Sequence, residues 1–153
     1  MTFLEQVEGF FKILNRNGVR YLIIGGVAVN IHGYTRATGD LDIWYEPTAD
    51  NFSKLLQSIR EYGFDTSDLE KKTDDLQKGF IRIPFESFYV ELLAMIDGKL
   101  TFDDVYHRAF DFQIKATPVK VIGYDALIQN KLMSRRAKDL EDITQLERRR
   151  SNQ

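Results

Sequence analysis

The chain contains no cysteine, carries little net charge and has no long apolar run, and each absence closes off a class of protein. Without cysteine there is no disulfide framework, no thiolate nucleophile and no cysteine-ligated zinc, and the composition suits a reducing compartment. The 21 Lys and Arg nearly cancel the 23 Asp and Glu, leaving a formal charge of -2 and no global electrostatic footprint for nucleic acid. The apolar runs are too short to cross a bilayer. Near the start, Glu5 and Glu8 interrupt Phe3, Leu4, Val7, Phe10 and Phe11, which reads as a helix face rather than a secretory signal. Internal repeats and low-complexity tracts are also missing. What remains is 153 residues, 43% hydrophobic and 12% aromatic, enough for one sizeable core. The expectation is a single domain, soluble and cytoplasmic, with no membrane partner.

The hydrophobic spacing predicts mixed α and β structure. Phe3 to Leu14 recur at helical period up to Asn17-Gly18, giving a helix over residues 3 to 16. Tyr21 to Ile24 reads as a buried strand running into Gly25-Gly26, followed by a short helix from Val27 to about Ile31. Asp40 to Tyr45 is a second strand, and Pro47-Thr48 opens a helix carrying Phe52, Leu55, Leu56 and Ile59 that stops near Gly63. The polar stretch from Asp65 to Lys78 reads as surface loop or a loose helical turn. Phe80 to Ile83 and Ser87 to Leu93 form a predicted hairpin, with further strands over Phe112 to Lys115 and Val119 to Ile122. Thr101 with Asp104 resembles a capping box for a helix through Ala109, and Asp125 is placed to cap a last helical region over about 124 to 147. The sequence leaves open whether that region breaks near Arg135.

Chemistry concentrates in Asp40-Leu41-Asp42-Ile43. Residues two apart on a strand share a face, so the two carboxylates project together while Leu41 and Ile43 enter the core. Two adjacent carboxylates repel unless a cation lies between them, and they are hard oxygen ligands suited to Mg²⁺ or Mn²⁺. A two-ion site needs a third acid, and Glu91 is the candidate, on the face of its strand shared with Tyr89 and Leu93. Taken alone, Glu91 reads better as a surface residue or an ion pair with Arg82; beside the aspartate pair it reads as the third acid. Arg36 and Thr38 lie on the approach to the aspartates, the arginine either meeting phosphate or solvated on a loop. Lys131, Arg135 and Lys138 share a face if their helix is continuous, with Arg136 beside them and Asp139 and Asp142 interleaved. That face is either a phosphate grip or a salt-bridged surface. His32 and His107 read as structural rather than catalytic.

The glycine pair, the Arg36-x-Thr38-x-Asp40-x-Asp42 run, the later Glu91, and Lys131 with Arg135-x-x-Lys138-Asp139-x-x-Asp142 together resemble the nucleotidyltransferase superfamily of DNA polymerase β-like fold. Within it they are similar to small bacterial nucleotidyltransferase-like proteins, including the toxin component of abortive-infection E systems. The resemblance spans residues of about 20 to 45, 87 to 98 and 118 to 147. It implies an α+β fold with a mixed sheet flanked by helices and C-terminal helices. It implies Asp40, Asp42 and Glu91 as catalytic metal ligands for Mg²⁺ or Mn²⁺, with an NTP as substrate. Gly25, Gly26, Arg36, Thr38, Lys131, Arg135, Lys138 and Asp139 are then the candidate nucleotide contacts. The implied reaction moves a nucleoside monophosphate onto a hydroxyl of RNA (such as a tRNA end), protein or a small molecule and releases pyrophosphate. Many members carry Ser where this chain has Gly26, which leaves a second reading: a toxin-antitoxin protein that binds a partner through a weakened nucleotide site. A partner subunit or homodimer is a further expectation.

Overall fold

A computed structural model describes residues 1–70 and 76–152. One mixed six-stranded sheet runs through it in the order β3-β4-β2-β1-β6-β5. Part of the polar stretch read as loop, residues 71–75, lies outside the described residues; its flanks hold a short helix at Ser67–Glu70 and a 3₁₀ turn at Leu76–Lys78.

The first helix, α1 (Phe3–Arg16), starts with a reciprocal cap: Thr2 Oγ1 accepts from the Glu5 amide and the Glu5 carboxylate accepts from the Thr2 amide. Its stripe of Val7, Phe10, Phe11 and Leu14 is buried. Strand β1 (Tyr21–Ile24) is buried throughout and delivers the chain to α2 (Gly25–Ile31), whose first turn includes both glycines rather than beginning after them. After β2 (Asp40–Tyr45), Thr48 caps α3 (Ala49–Tyr62), and Gly63 ends it in the left-handed region at φ 116°. Then come α4 (Ser67–Glu70), the hairpin β3 (Phe80–Pro84) and β4 (Tyr89–Leu93), α5 (Phe102–His107), the hairpin β5 (Phe110–Ile114) and β6 (Thr117–Val121), α6 (Tyr124–Ser134) and α7 (Ala137–Ser151).

Two capping expectations are corrected. Thr101 precedes α5 without a side-chain capping bond, and α6 is preceded by Gly123, with Asp125 inside its first turn. The C-terminal region breaks at Arg135, which adopts φ 54° as the last cap of α6.

Strand pairing decides where the acids go. β2 runs antiparallel to β1 and parallel to β4, placing Asp42 opposite Glu91, while β3 lies antiparallel to β4 and sets Arg82 opposite Glu91. The alternate residues Leu41, Ile43, Val90 and Leu92 are at most 1% exposed and face the opposite way, into the core. Tyr45 packs at a tilt against Phe52 of α3 there, whereas Trp44, on the acid face, meets Phe102 of α5. Among the described residues, no helix is long and apolar enough to cross a membrane.

Candidate active site

The turn from β1 into α2 must pass directly beneath Asp42. Gly25 sits at φ 67°, and a Cβ built there would overlap the Asp42 carboxylate. Glycine is required on both counts, conformation and space. Replacing Gly25 with Ala is expected to cost about 2 kcal/mol or more, since the left-handed conformation and the overlap both oppose the new methyl. A urea melt checks this: stability equal to the parent would show that the turn is not held as described. Gly26 is constrained by space alone, because its Cβ would lie 2.5 Å from Thr38 Oγ1 and 2.9 Å from Thr38 Cβ. The Thr38 hydroxyl therefore packs against the turn where a side chain at position 26 would sit, and it donates to the Asp40 carbonyl at 3.3 Å.

Over this turn lies a cleft with two adjoining lobes. The first, of about 420 Å³, is lined by Gly25, Gly26, Thr38, Asp40 and the cations Arg36 and Lys138, among others. The second, of about 380 Å³, is more apolar, with Leu93, Met95 and Ile96 beside Asp97, Asn130 and Ser134. Asp42, Glu91, Lys131 and Arg136 border both.

Asp42 and Glu91 meet at that border, with Asp40 beside them in the first lobe. Burial pushes the Asp42 carboxyl up to about 7, helped by a hydrogen bond with Glu91 and by the charges of Glu91 and Asp40, with Lys138 opposing. Asp42 Oδ1 is buried and has no hydrogen-bond partner. A divalent cation meets the demand of such an oxygen, and the all-oxygen donor set suits Mg²⁺ or Mn²⁺. As they stand, however, no three acidic or histidine side chains among the described residues form a closed metal cage. Arg82 of β3 stands nearby, its Nε 3.5 Å from Glu91 Oε1 and its Nη2 3.9 Å from Asp40 Oδ2. Glu91 thus faces Asp42 and also pairs with Arg82.

The cations divide into spent and free. Arg36 grips Asp142 with two parallel bonds, Nε to Oδ1 at 2.7 Å and Nη2 to Oδ2 at 2.9 Å, so its fork anchors the loop before β2 rather than standing open to phosphate. Lys131 Nζ lies 3.0 Å from Asp139 Oδ1 and 2.9 Å from Asp142 Oδ2, and Arg136 Nε donates to Asp139 Oδ2 at 2.8 Å. Lys131, Asp139 and Asp142 are 4%, 0% and 1% exposed, which makes them a buried network under the cleft floor. Burial alone raises both aspartates, but hydrogen bonds from Arg136 and Lys131 to Asp139, and from Arg36 and Lys131 to Asp142, outweigh it and hold both below the usual range. Lys138 lines the first lobe with no carboxylate partner among the described residues.

Arg135 is the one candidate that the structure keeps out of the cleft. The helix break turns it outward, where its Nε donates to the Leu132 carbonyl, and Arg136 takes the place beside the acids. No glycine or proline marks the break, so the sequence offers no local signal for it. Asp142 and Arg136 were visible only as charges in a patch. His32 bonds the Ile122 carbonyl at 2.8 Å and packs on Phe110 and Tyr124, a structural role; His107 is exposed and bonds the Asp103 carbonyl.

The class of fold is that of the nucleotidyltransferases. The chain superposes over 94% of its length on a lincosamide antibiotic adenylyltransferase, LnuA, in a lincomycin-bound structure, at 14% identity with a TM-score of 0.55 and 95% of that chain covered. An antigenic nucleotidyltransferase-like protein from Paracoccidioides brasiliensis superposes with a TM-score of 0.56 at 16% identity, covering 94% of this chain and 74% of that one. No curated protein matches the sequence. The family is given by residues 3–153, which match "Nucleotidyl transferase of unknown function (DUF2204)", and the chain belongs to it.

Proposed function

We propose that the protein transfers a nucleoside monophosphate from an NTP to a hydroxyl acceptor, with Mg²⁺ or Mn²⁺ held by Asp40, Asp42 and Glu91. The observation that carries this reading is the convergence of the three acids on one cleft, Asp42 and Glu91 at the border of a cationic polar lobe and a more apolar one and Asp40 beside them in the polar lobe. When bound, the ion supplies charge neutralisation for the triphosphate and acidifies the attacking hydroxyl. The chain's own residues do the rest. Lys138 and the Gly25-Gly26 turn accept the triphosphate in the first lobe, because a lysine without an ion-pair partner among the described residues and backbone free of side chains suit phosphate oxygens. The α-phosphorus then sits over the acids, with the second lobe left for the non-ionic part of the reactants. Glu91, on the border of both lobes, takes the proton from the acceptor hydroxyl as its oxygen bonds to the α-phosphorus, and the bond to the β-phosphate breaks to release pyrophosphate. Arg36, Lys131, Arg136, Asp139 and Asp142 position this floor rather than touch the reacting atoms. The place of Thr38 against Gly26 supports an intact turn, so the glycine at position 26 is no evidence of a degenerate site.

The test is incubation with each α-³²P-labelled NTP, Mg²⁺ or Mn²⁺ and a cell extract. Label transferred to RNA, protein or a small molecule, with pyrophosphate released, supports the proposal and names the acceptor. No transfer and no NTP binding at millimolar concentration would leave partner binding as the better account of the fold.

A further inference from the structure

We propose that Arg82 is a built-in counter-cation of the acidic trio, one that a divalent ion must displace, so that this arginine sets the metal concentration at which the site loads. The inference rests on the reading of Asp40, Asp42 and Glu91 as metal ligands. Its geometry is independent of that reading. Arg82 is placed by backbone register, directly opposite Glu91 on the neighbouring strand, and its guanidinium reaches two of the three acids at once. It is also braced: the guanidinium carbon lies 3.8 Å from the centroid of the Tyr89 ring, on the residue paired with Asp40. An arginine held by stacking and by two carboxylates occupies a defined position even though its side chain is 50% exposed.

The charge count explains why such a residue is there. Three carboxylates gathered on one sheet face repel one another; Lys131, Arg36 and Arg136 on the cleft floor are already bonded to Asp139 and Asp142, and Lys138 acts on Asp42 through its charge without an ion-pair contact. Among the described residues, Arg82 is the cation within ion-pair distance of the trio itself. Its contacts are of ion-pair length rather than short hydrogen bonds, and its exposed half opens to solvent, so release requires no disruption of the core. A divalent ion brings twice the charge to the same oxygens and competes directly. Arg82 therefore weakens metal binding by the protein alone, and a metal arriving with a triphosphate overcomes it more readily than a free ion.

Mn²⁺ titration followed by the loss of the free-ion EPR signal tests this without reference to turnover. Arg82→Gln should bind Mn²⁺ more tightly than the parent by roughly threefold to tenfold, the scale of partly exposed ion pairs. Arg82→Lys, which keeps the charge, should stay near the parent. Circular dichroism melts on the three proteins establish that they are folded alike, as expected for an exposed position on an edge strand. Equal affinity in parent and Arg82→Gln overturns the inference while leaving the acidic trio as the metal site. Weaker binding in Arg82→Gln also overturns it, since Arg82 would then be organising the ligands. If neither protein binds Mn²⁺, with or without NTP, the metal reading and this inference fall together.

Discussion

Asp42→Asn is expected to lower nucleotidyl transfer about a thousandfold or more, because the proposed central metal ligand would go and with it several kcal/mol of charge stabilisation in the transition state. The same variant should melt no earlier than the parent in metal-free buffer. Asp42 is half-buried beside Glu91 and Asp40, its buried Oδ1 lacks a partner, and removing its charge relieves repulsion that the fold otherwise tolerates. A catalytic loss without a stability loss is the signature of a residue held for function. Activity and thermal melting on one preparation check it; full activity would refute the role of Asp42, and collapse of the fold would make it structural.

The reverse signature is expected at Asp142. It accepts from both Arg36 and Lys131, and Asp142→Ala leaves Lys131, only 4% exposed, short of one of its two counter-ions. Removing one partner of a buried charge network costs about 3–5 kcal/mol, far more than the net worth of the intact network. Urea unfolding measures the loss, and a change under about 1 kcal/mol would show that the site is hydrated and screened. The network also sets an acid limit. Asp139 and Asp142 have folded-state values below their ordinary ones, so their contribution is complete above the unfolded value, near about pH 4, and is lost as pH falls through the lowered values. Stability of the parent should therefore fall steeply below about pH 4, and Asp142→Ala should fall less over the same range.

The elements with strong local signals were legible in the sequence. α1, β1, β2 and α3 follow from apolar period, the Thr48 cap and the Gly63 stop, all of which act within a few residues. The shared face of Asp40 and Asp42 follows from strand geometry alone. Glu91 needed more, because its place beside Asp42 depends on β4 pairing with β2 in one register, a contact 49 residues apart in sequence. The C-terminal cations were the least legible. Their facing depends on the left-handed conformation of Arg135, and a residue without glycine's freedom gives no warning of it; the break sends Arg135 outward and turns Arg136 and Lys138 to the cleft. Arg36 likewise reads as a phosphate ligand until Asp142, 106 positions later, is seen to fill its fork.

The central claim is that three acids on adjacent strands hold a divalent ion against an NTP. Crystals grown with Mn²⁺ and an NTP whose α,β-bridging oxygen is replaced by a non-hydrolysable group give the most direct test, through anomalous diffraction at the manganese edge. An anomalous peak is expected within coordination distance of Asp40, Asp42 and Glu91, with the triphosphate over Gly25-Gly26 and toward Lys138. Nucleotide bound elsewhere, or bound in the cleft with no manganese at these carboxylates, would contradict it.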